Sequence, residues 1–253
     1  MKKCWGIIPA AGAGTRIQPL PFSKELLPVG YNRKGENVYP KTICEYLIGR
    51  MSIGGVTTLC VIISHEKNDI VKLLKNKYDN INICYVVQDK PLGLCDALFR
   101  ASGILTPQDL VMIGLPDTIW YPEDAFVGCE DDNFTLILFP VDNPEQFDSV
   151  IIDENDTVQQ VLVKNKECKE RWIWGAMKMP GHVFFALYEL WIRDLQKDEY
   201  LGTLINKYIK EGGCVKGKKI GTYYGDVGTV NGYSNVLEKI VFRSDLIANA
   251  EPD

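Results

Sequence analysis

The chain has 253 residues, 46% of them hydrophobic, with a net charge of −5. That hydrophobic share supports a sizeable core and speaks against disorder, while the acidic balance speaks against a general nucleic-acid binder. The eight cysteines include no C-x-x-C pair, and no apolar run approaches the length of a membrane span, so zinc-motif, redox-motif and membrane readings fall away.

The opening "CWGIIPA" predicts a short strand buried on both faces, followed by the glycine loop "AGAGTR". "ICEYLIGRMSIGG" predicts a helix through Ile43, Leu47, Ile48 and Met51, stopped at Gly54-Gly55. "TTLCVIIS" is the next strand, and Ser64 is expected to cap the helix that carries Ile70, Val71 and Leu74. "INICYVVQ" and "DLVMIGLPD" are strands, separated by the helix "GLCDALFRASGI". Strand–helix alternation over roughly the first 120 residues predicts βαβ units and a parallel sheet, with a ligand at the carboxyl ends of the strands. The glycine loop, Ser64-His65, Gln88 and Asp117 fall at those ends.

The second half reads differently. "TLILFPV", "SVIIDENDTVQQVLVK" and "RWIWGAMKM" predict strands, with a hairpin around Asn155-Asp156. "HVFFALYELWIRDLQK" predicts an amphipathic helix with Phe184, Leu187, Trp191 and Leu195 inward, and "YLGTLINKYIKEGG" a second. A strand ending in an acid, a turn and a last helix, "GYSNVLEKIVF", complete the chain. With no repeat or linker, the expectation is a single α/β domain over 1–253. Its fold would be a Rossmann-like mixed, mostly parallel sheet flanked by helices. A nucleotide-binding half would span 1–125 and a substrate half 126–253. "MKKCWGIIPAAGAG" meets glycine and proline too early for a signal peptide, and cysteines inside apolar runs, such as Cys60 and Cys84, suit a reducing cytoplasm.

Gly12 and Gly14 allow a tight turn and close approach of a ligand to backbone amides. A dinucleotide fingerprint needs a third glycine where Ile17 stands, and no Gly-Lys-Ser/Thr follows for a Walker loop. What is left is a triphosphate loop with Arg16 and Lys24 as fixed cations, or a plain turn beside two solvated cations. For a bare Gly-x-Gly the plain turn is the commoner case.

The longer stretch changes that balance. Gly12, Gly14, Thr15 and Arg16, a proline-containing spacer, then Lys24, Leu26, Leu27 and Pro28 resemble the signature of the sugar-1-phosphate nucleotidyltransferases, or NDP-sugar pyrophosphorylases. Within that family "PAAGAGTR" and "KELLP" are similar to the bacterial UTP–glucose-1-phosphate uridylyltransferases, and "SKELLPV" to the glucose-1-phosphate thymidylyltransferases. The likeness extends from Ile7 to about Tyr233. It implies the nucleotide-diphospho-sugar transferase fold, with Ala10, Ala11, Gly12, Gly14 and Thr15 around the nucleotide. In "VVQDKPLGLCDALFRA" it implies that Gln88 reads the base edge through an amide offering donor and acceptor, with Gly93 letting the base lie close. In "GLPDTIW" and "YYGDVGTVNGY" it implies Asp117 and Asp226 as ligands of Mg²⁺, a cation that prefers carboxylate, water and phosphate oxygens.

The middle of the chain departs from the pattern. In "NPEQFDSVIID" Phe147 keeps an aromatic position that touches the sugar, but Asp148 stands where the family has glycine. In "VLVKNK" Lys164 keeps a lysine expected at the sugar phosphate, while Val163 replaces a glutamate expected to hold sugar hydroxyls. Gly175 keeps its strand glycine, and Lys207 stands at a helix position that carries arginine in thymidylyltransferases. The implied sugar is therefore not fixed as glucose. The stretch Pro28–Lys41 is longer than usual and reads as a polar surface loop, a tolerated insertion.

The resemblance implies attack of a sugar 1-phosphate on the α-phosphorus of an NTP, UTP or dTTP favoured, giving NDP-sugar and pyrophosphate. Arg16 and Lys24 would neutralise the phosphates. A cytidylyltransferase acting on another phosphorylated alcohol, or a non-catalytic binding regulator, are the competing readings. Members of the family are commonly oligomers, which leaves a homo-oligomer open. His65 and His182 lack metal-site spacing, and Trp172 and Trp174 read as core or pocket wall.

Overall fold

The computed structural model describes residues 2–194 and 200–248, apart from the side chains of 34 and 241–248. In chain order the elements are β1 (Cys4–Pro9), β2 (Pro28–Lys34), β3 (Asn37–Thr42), α1 (Ile43–Ile53), β4 (Thr58–Ile63), α2 (Asn68–Leu74), β5 (Lys77–Tyr78) and β6 (Ile81–Val87). Then come α3 (Leu94–Phe99), β7 (Leu110–Gly114), β8 (Thr118–Tyr121), β9 (Thr135–Pro140), β10 (Ser149–Ile152), β11 (Val158–Leu162) and β12 (Trp172–Pro180). The chain continues through α4 (Gly181–Arg193), α5 (Leu201–Lys210), β13 (Lys216–Lys218), β14 (Tyr223–Asp226) and α6 (Val230–Ala248).

The sheet centre runs β6-β4-β1-β7, all parallel. β12 then pairs antiparallel with β7, and also with β9 and β10. The architecture is the expected mixed sheet flanked by helices. Period-2 alternation divides its apolar residues between two cores. Ile7, Cys60, Ile62, Val111 and Ile113 face a core with Leu98 of α3, Phe184 of α4 and Leu204 of α5. Ile8, Leu59, Val61 and Met112 face Leu47 of α1 and Ile70 of α2. Burial on both faces is why these strands read as near-continuous apolar runs. A third, smaller core joins Ile17, Leu27, Val29, Ile119, Val227 and Val236, packing the opening loop onto β8, β14 and α6. No helix among the described residues is long and apolar enough to cross a membrane.

Three local expectations change. Pro28–Lys41 is an antiparallel ribbon of β2 and β3 rather than an irregular loop, its register shifting near Gly30. Ser64 does not cap α2: a turn closed by the Lys67 amide on the Ser64 carbonyl intervenes, and the helix starts at Asn68 without a side-chain cap. α3 is short and continues as a 3₁₀ turn over Arg100–Gly103. The hairpin at Asn155-Asp156 forms as expected, with Asp156 at φ 57°. Trp191 is core, whereas Leu195 lies outside the described residues.

Candidate functional site

The chain leaves β1 into the Gly12–Arg16 loop, whose amides find no acceptor among the described residues. Ala10 and Ala11 are buried where the loop departs, and Gly12 and Thr15 are exposed. Gly14 sits at φ 66°, and a Cβ there would come 3.0 Å from Lys24 Cδ. Glycine therefore serves twice, for the turn and for the passage of the lysine stem.

Lys24 opens a 3₁₀ turn, Lys24–Leu26, that is tied down on both sides. The Ser23 amide and hydroxyl donate to Asp69 at 2.6 and 2.7 Å. Glu25, 1% exposed, accepts from the Lys67 ammonium at 2.7 and 2.8 Å. Sequence reasoning passed over Glu25, Lys67 and Asp69. A glutamate in a loop reads as solvated, and only the fold turns it inward.

The Lys24 ammonium donates to the Asp117 carboxylate just beyond β7. Burial opposes its charge, but Asp117, with Glu25 and Asp226, outweighs burial and holds its pKa above the ordinary lysine range. β14 pairs with β8 so that Asp226 lies opposite Thr118, beside Asp117, and the Val227 amide donates to the Asp117 carbonyl at 2.9 Å. Burial and the neighbouring Asp117 charge raise the Asp226 carboxyl above the ordinary aspartate range, against the Gly228 amide, Arg16 and Lys24. The Arg16 guanidinium lies 3.7 Å from Asp226. A Cβ on Gly228 would fall 2.7 Å from that guanidinium, so glycine keeps the approach open. Arg16, Lys24, Asp117 and Asp226 are thus brought together from three segments: the connection after β1, the end of β7 and the end of β14.

Two adjacent carboxylates, Asp226 held beside the charge of Asp117, suit a hard divalent cation that completes its shell with water and phosphate oxygens. No group of three or more His, Cys, Asp or Glu side chains converges as a metal site among the described residues. The fit is to a hard divalent cation that takes two carboxylates from the protein.

Two clefts flank this cluster: Lys24 lines one, and Leu115 and Tyr224, each two residues from Asp117 or Asp226, line the other. The larger, about 800 Å³, is lined by Ala11, Lys24, Ser64, His65, Gln88 and others. His65 pairs with Asp89 at 2.8 Å on its exposed rim. The smaller, about 330 Å³, is lined by Gly93, Phe147, Asp148, Lys164, Trp174, Tyr200 and Tyr224, among others. Lys164 Nζ lies 4.7 Å from the centre of the Tyr200 ring. Asp148 accepts from the Lys164 amide at 3.1 Å, and burial raises its carboxyl above the usual range. The Trp174 indole N–H lies near enough to favour the Asp148 charge but makes no hydrogen bond. Asp148 and Val163 flank Gly202 together: a Cβ there would meet Val163 at 2.8 Å and Asp148 Oδ2 at 3.3 Å.

Gly175 does not line either cleft. It lies beneath Tyr224, whose ring a Cβ would strike at 2.4 Å, and lets that cleft-lining ring settle on β12. Lys207 is outside both clefts and donates to Asp194 at 2.6 Å. Trp174, Tyr200 and Tyr224 are cleft walls that apolar periodicity alone could not separate from core.

Residues 5–241 match the model of the family described as Nucleotidyl transferase. A glucose-1-phosphate thymidylyltransferase of Neisseria meningitidis is 31% identical over 176 residues, covering 66% of this chain and 58% of that protein. Agl11 of Haloferax volcanii, a low-salt glycan biosynthesis nucleotidyltransferase, is 30% identical over 64% of this chain and 45% of its own length. The bifunctional protein GlmU of Methanococcus maripaludis is 28% identical over 94% of this chain and 55% of its own length. The chain spans about half the length of the curated relatives it matches. Two solved structures share the fold. One is a Bacillus anthracis protein described as a glucose-1-phosphate thymidylyltransferase, in complex with a sucrose (TM-score 0.80, 23% identity, covering 94% of this chain and 95% of the other). The other is a UTP-bound UGPase of Acinetobacter baumannii (TM-score 0.71, 15% identity, 99% and 100%).

Proposed function

The chain belongs to the nucleotidyl transferase family, and from that premise we propose that it joins an NTP, UTP or dTTP, to a sugar 1-phosphate, releasing pyrophosphate. The observation that carries the reading is the cluster of Arg16, Lys24, Asp117 and Asp226, with one cleft lined by Lys24 and another by Tyr224, two residues before Asp226. The larger cleft, built from residues 1–125, takes the nucleotide. The smaller, built largely from 126–253, takes the sugar phosphate.

An oxygen of the sugar phosphate attacks the α-phosphorus in line, a P–O bond forms, and the bond to pyrophosphate breaks. That nucleophile is already anionic, so no general base is required. The protein's task is to bring two anions together and neutralise their charge. The Gly12–Arg16 amides cradle the triphosphate, Arg16 holds the β- and γ-phosphates, and Lys24 holds the α-phosphate. Lys164 positions the sugar phosphate. Asp117 and Asp226 would hold Mg²⁺, which supplies positive charge beside the phosphates. Asp148 stands beside Val163, where the family's hydroxyl-binding acid is missing, and supplies the carboxylate from the adjacent segment. A cytoplasmic setting is part of the same reading, supported by eight cysteines that are all free thiols.

Pyrophosphate release, measured over a panel of nucleotides and sugar phosphates with Mg²⁺, tests the reading. Turnover on one pyrimidine nucleotide and one sugar phosphate is expected. Binding without release on any pair overturns it.

A further inference from the structure

The amide of Gln88 is held in one orientation by a buried carboxylate. Gln88 lies at the end of β6, is 4% exposed and lines the larger cleft. Its Nε2 donates to Asp96 Oδ2 at 2.6 Å and to the Gly93 carbonyl at 3.3 Å. Both amide protons are thereby engaged. Oε1 accepts nothing among the described residues and is not sealed from the cleft. Asp96, 3% exposed in the first turn of α3, can only accept as a carboxylate, so it takes the NH₂ side of the amide and turns the oxygen away. Arg100, one turn on, donates to both Asp96 oxygens at 3.0 and 3.3 Å and supplies the opposite charge.

We propose that Asp96 determines nucleotide specificity by locking Gln88 as a hydrogen-bond acceptor, so that the cleft takes pyrimidines with a ring N3–H (uracil or thymine) and rejects cytosine. This rests on the reading of Gln88 as the group that faces the base. Uracil and thymine present a donor at position 3. Cytosine presents a lone pair there, which would meet the Oε1 lone pair. A freely rotating glutamine would turn its NH₂ to cytosine and bind either base. The lock removes that option, because turning the amide would set its oxygen against the Asp96 carboxylate in a buried place. Asp96 touches no substrate; it acts through Gln88 as a positioning residue.

The test is the affinity of wild type and Asp96→Asn for UTP, dTTP and CTP, read by titration calorimetry with Mg²⁺, alongside pyrophosphate release. Wild type is expected to bind UTP or dTTP at least about tenfold more tightly than CTP, the effect of one opposed buried hydrogen bond. In Asp96→Asn, whose side chain can donate or accept, that ratio is expected to collapse toward one through tighter CTP binding, with the sugar phosphate KM unchanged. A merely structural role would weaken all three nucleotides alike and leave the ratio in place, overturning the proposal. Should the variant not fold, the wild-type ratio still decides: CTP bound as tightly as UTP and dTTP overturns it, and so does binding of none of the three. Discrimination in binding without any pyrophosphate release would leave the lock supported and remove the catalytic reading.

Discussion

The Lys24 ammonium donates a hydrogen bond to the Asp117 carboxylate across 93 residues of sequence. One group comes from the loop after β1 and the other from the end of β7, neighbouring parallel strands whose carboxyl ends lie side by side. Without Lys24, Asp117 faces Asp226 with less opposing charge. Lys24→Ala is therefore expected to lower kcat by roughly 10²- to 10³-fold, the scale of losing one charge-stabilising donor in an active site. Asp117→Asn should lower it comparably, and the double variant should lose less than the sum, since the two act on one another. Near-wild-type pyrophosphate release in either single variant removes that residue from the mechanism.

The Glu25–Lys67 pair fixes the turn that carries Lys24. Burial raises the Glu25 carboxyl above its ordinary range even with Lys67 beside it, so the glutamate depends on its partner. Lys67→Met is expected to destabilise the fold by about 3–5 kcal/mol, the cost of stranding a buried charge. The double variant Glu25→Gln/Lys67→Met should recover part of that loss. Urea melts of the three proteins measure this, and equal stability of the single variant and wild type contradicts it.

In the proposed reaction Asp148 holds sugar hydroxyls. Asp148→Asn removes the charge while keeping the size, and should raise the KM for sugar phosphate about tenfold or more. The nucleotide KM should stay where it is, because Asp148 lines only the smaller cleft. A matched rise in both constants would instead indicate a general loss of site structure.

Asp109 gives a pH-dependent prediction. Burial tends to raise its carboxyl, but the amides of Thr106 and Lys3 and the Thr106 hydroxyl outweigh that and hold it below the ordinary range. A depressed folded-state pKa contributes stability above the unfolded value of about 3.9, and that contribution is lost as pH falls through the folded value. Asp109→Asn should therefore cost about 1–3 kcal/mol at neutral pH. The gap to wild type should narrow as pH drops below the ordinary aspartate pKa. A gap that is constant from neutral to acid pH rules out the ionised carboxylate as its source.

The sequence by itself determined the alternating elements and the end of the sheet at which Lys24 and Asp117 lie. Those features are local: an apolar run buried on both faces, a helix ended at Gly54, a Gly-x-Gly after the first strand and acids at two strand ends. Each depends on residues within one element. The tertiary structure decided which polar groups face one another. Pro28–Lys41, read as a loop, became a ribbon, and Ser64, read as a cap, sits a turn ahead of α2, because packing sets where such segments start. Gln88, which as a residue type offers donor and acceptor alike, is left with its acceptor because Asp96 occupies the other side. Asp148 and Val163, fifteen positions apart in the chain, come together at Gly202. Side-chain orientation and the meeting of distant charges are not periodic properties of a chain. They arise when separate segments are buried together and each polar group takes the partner the fold brings to it.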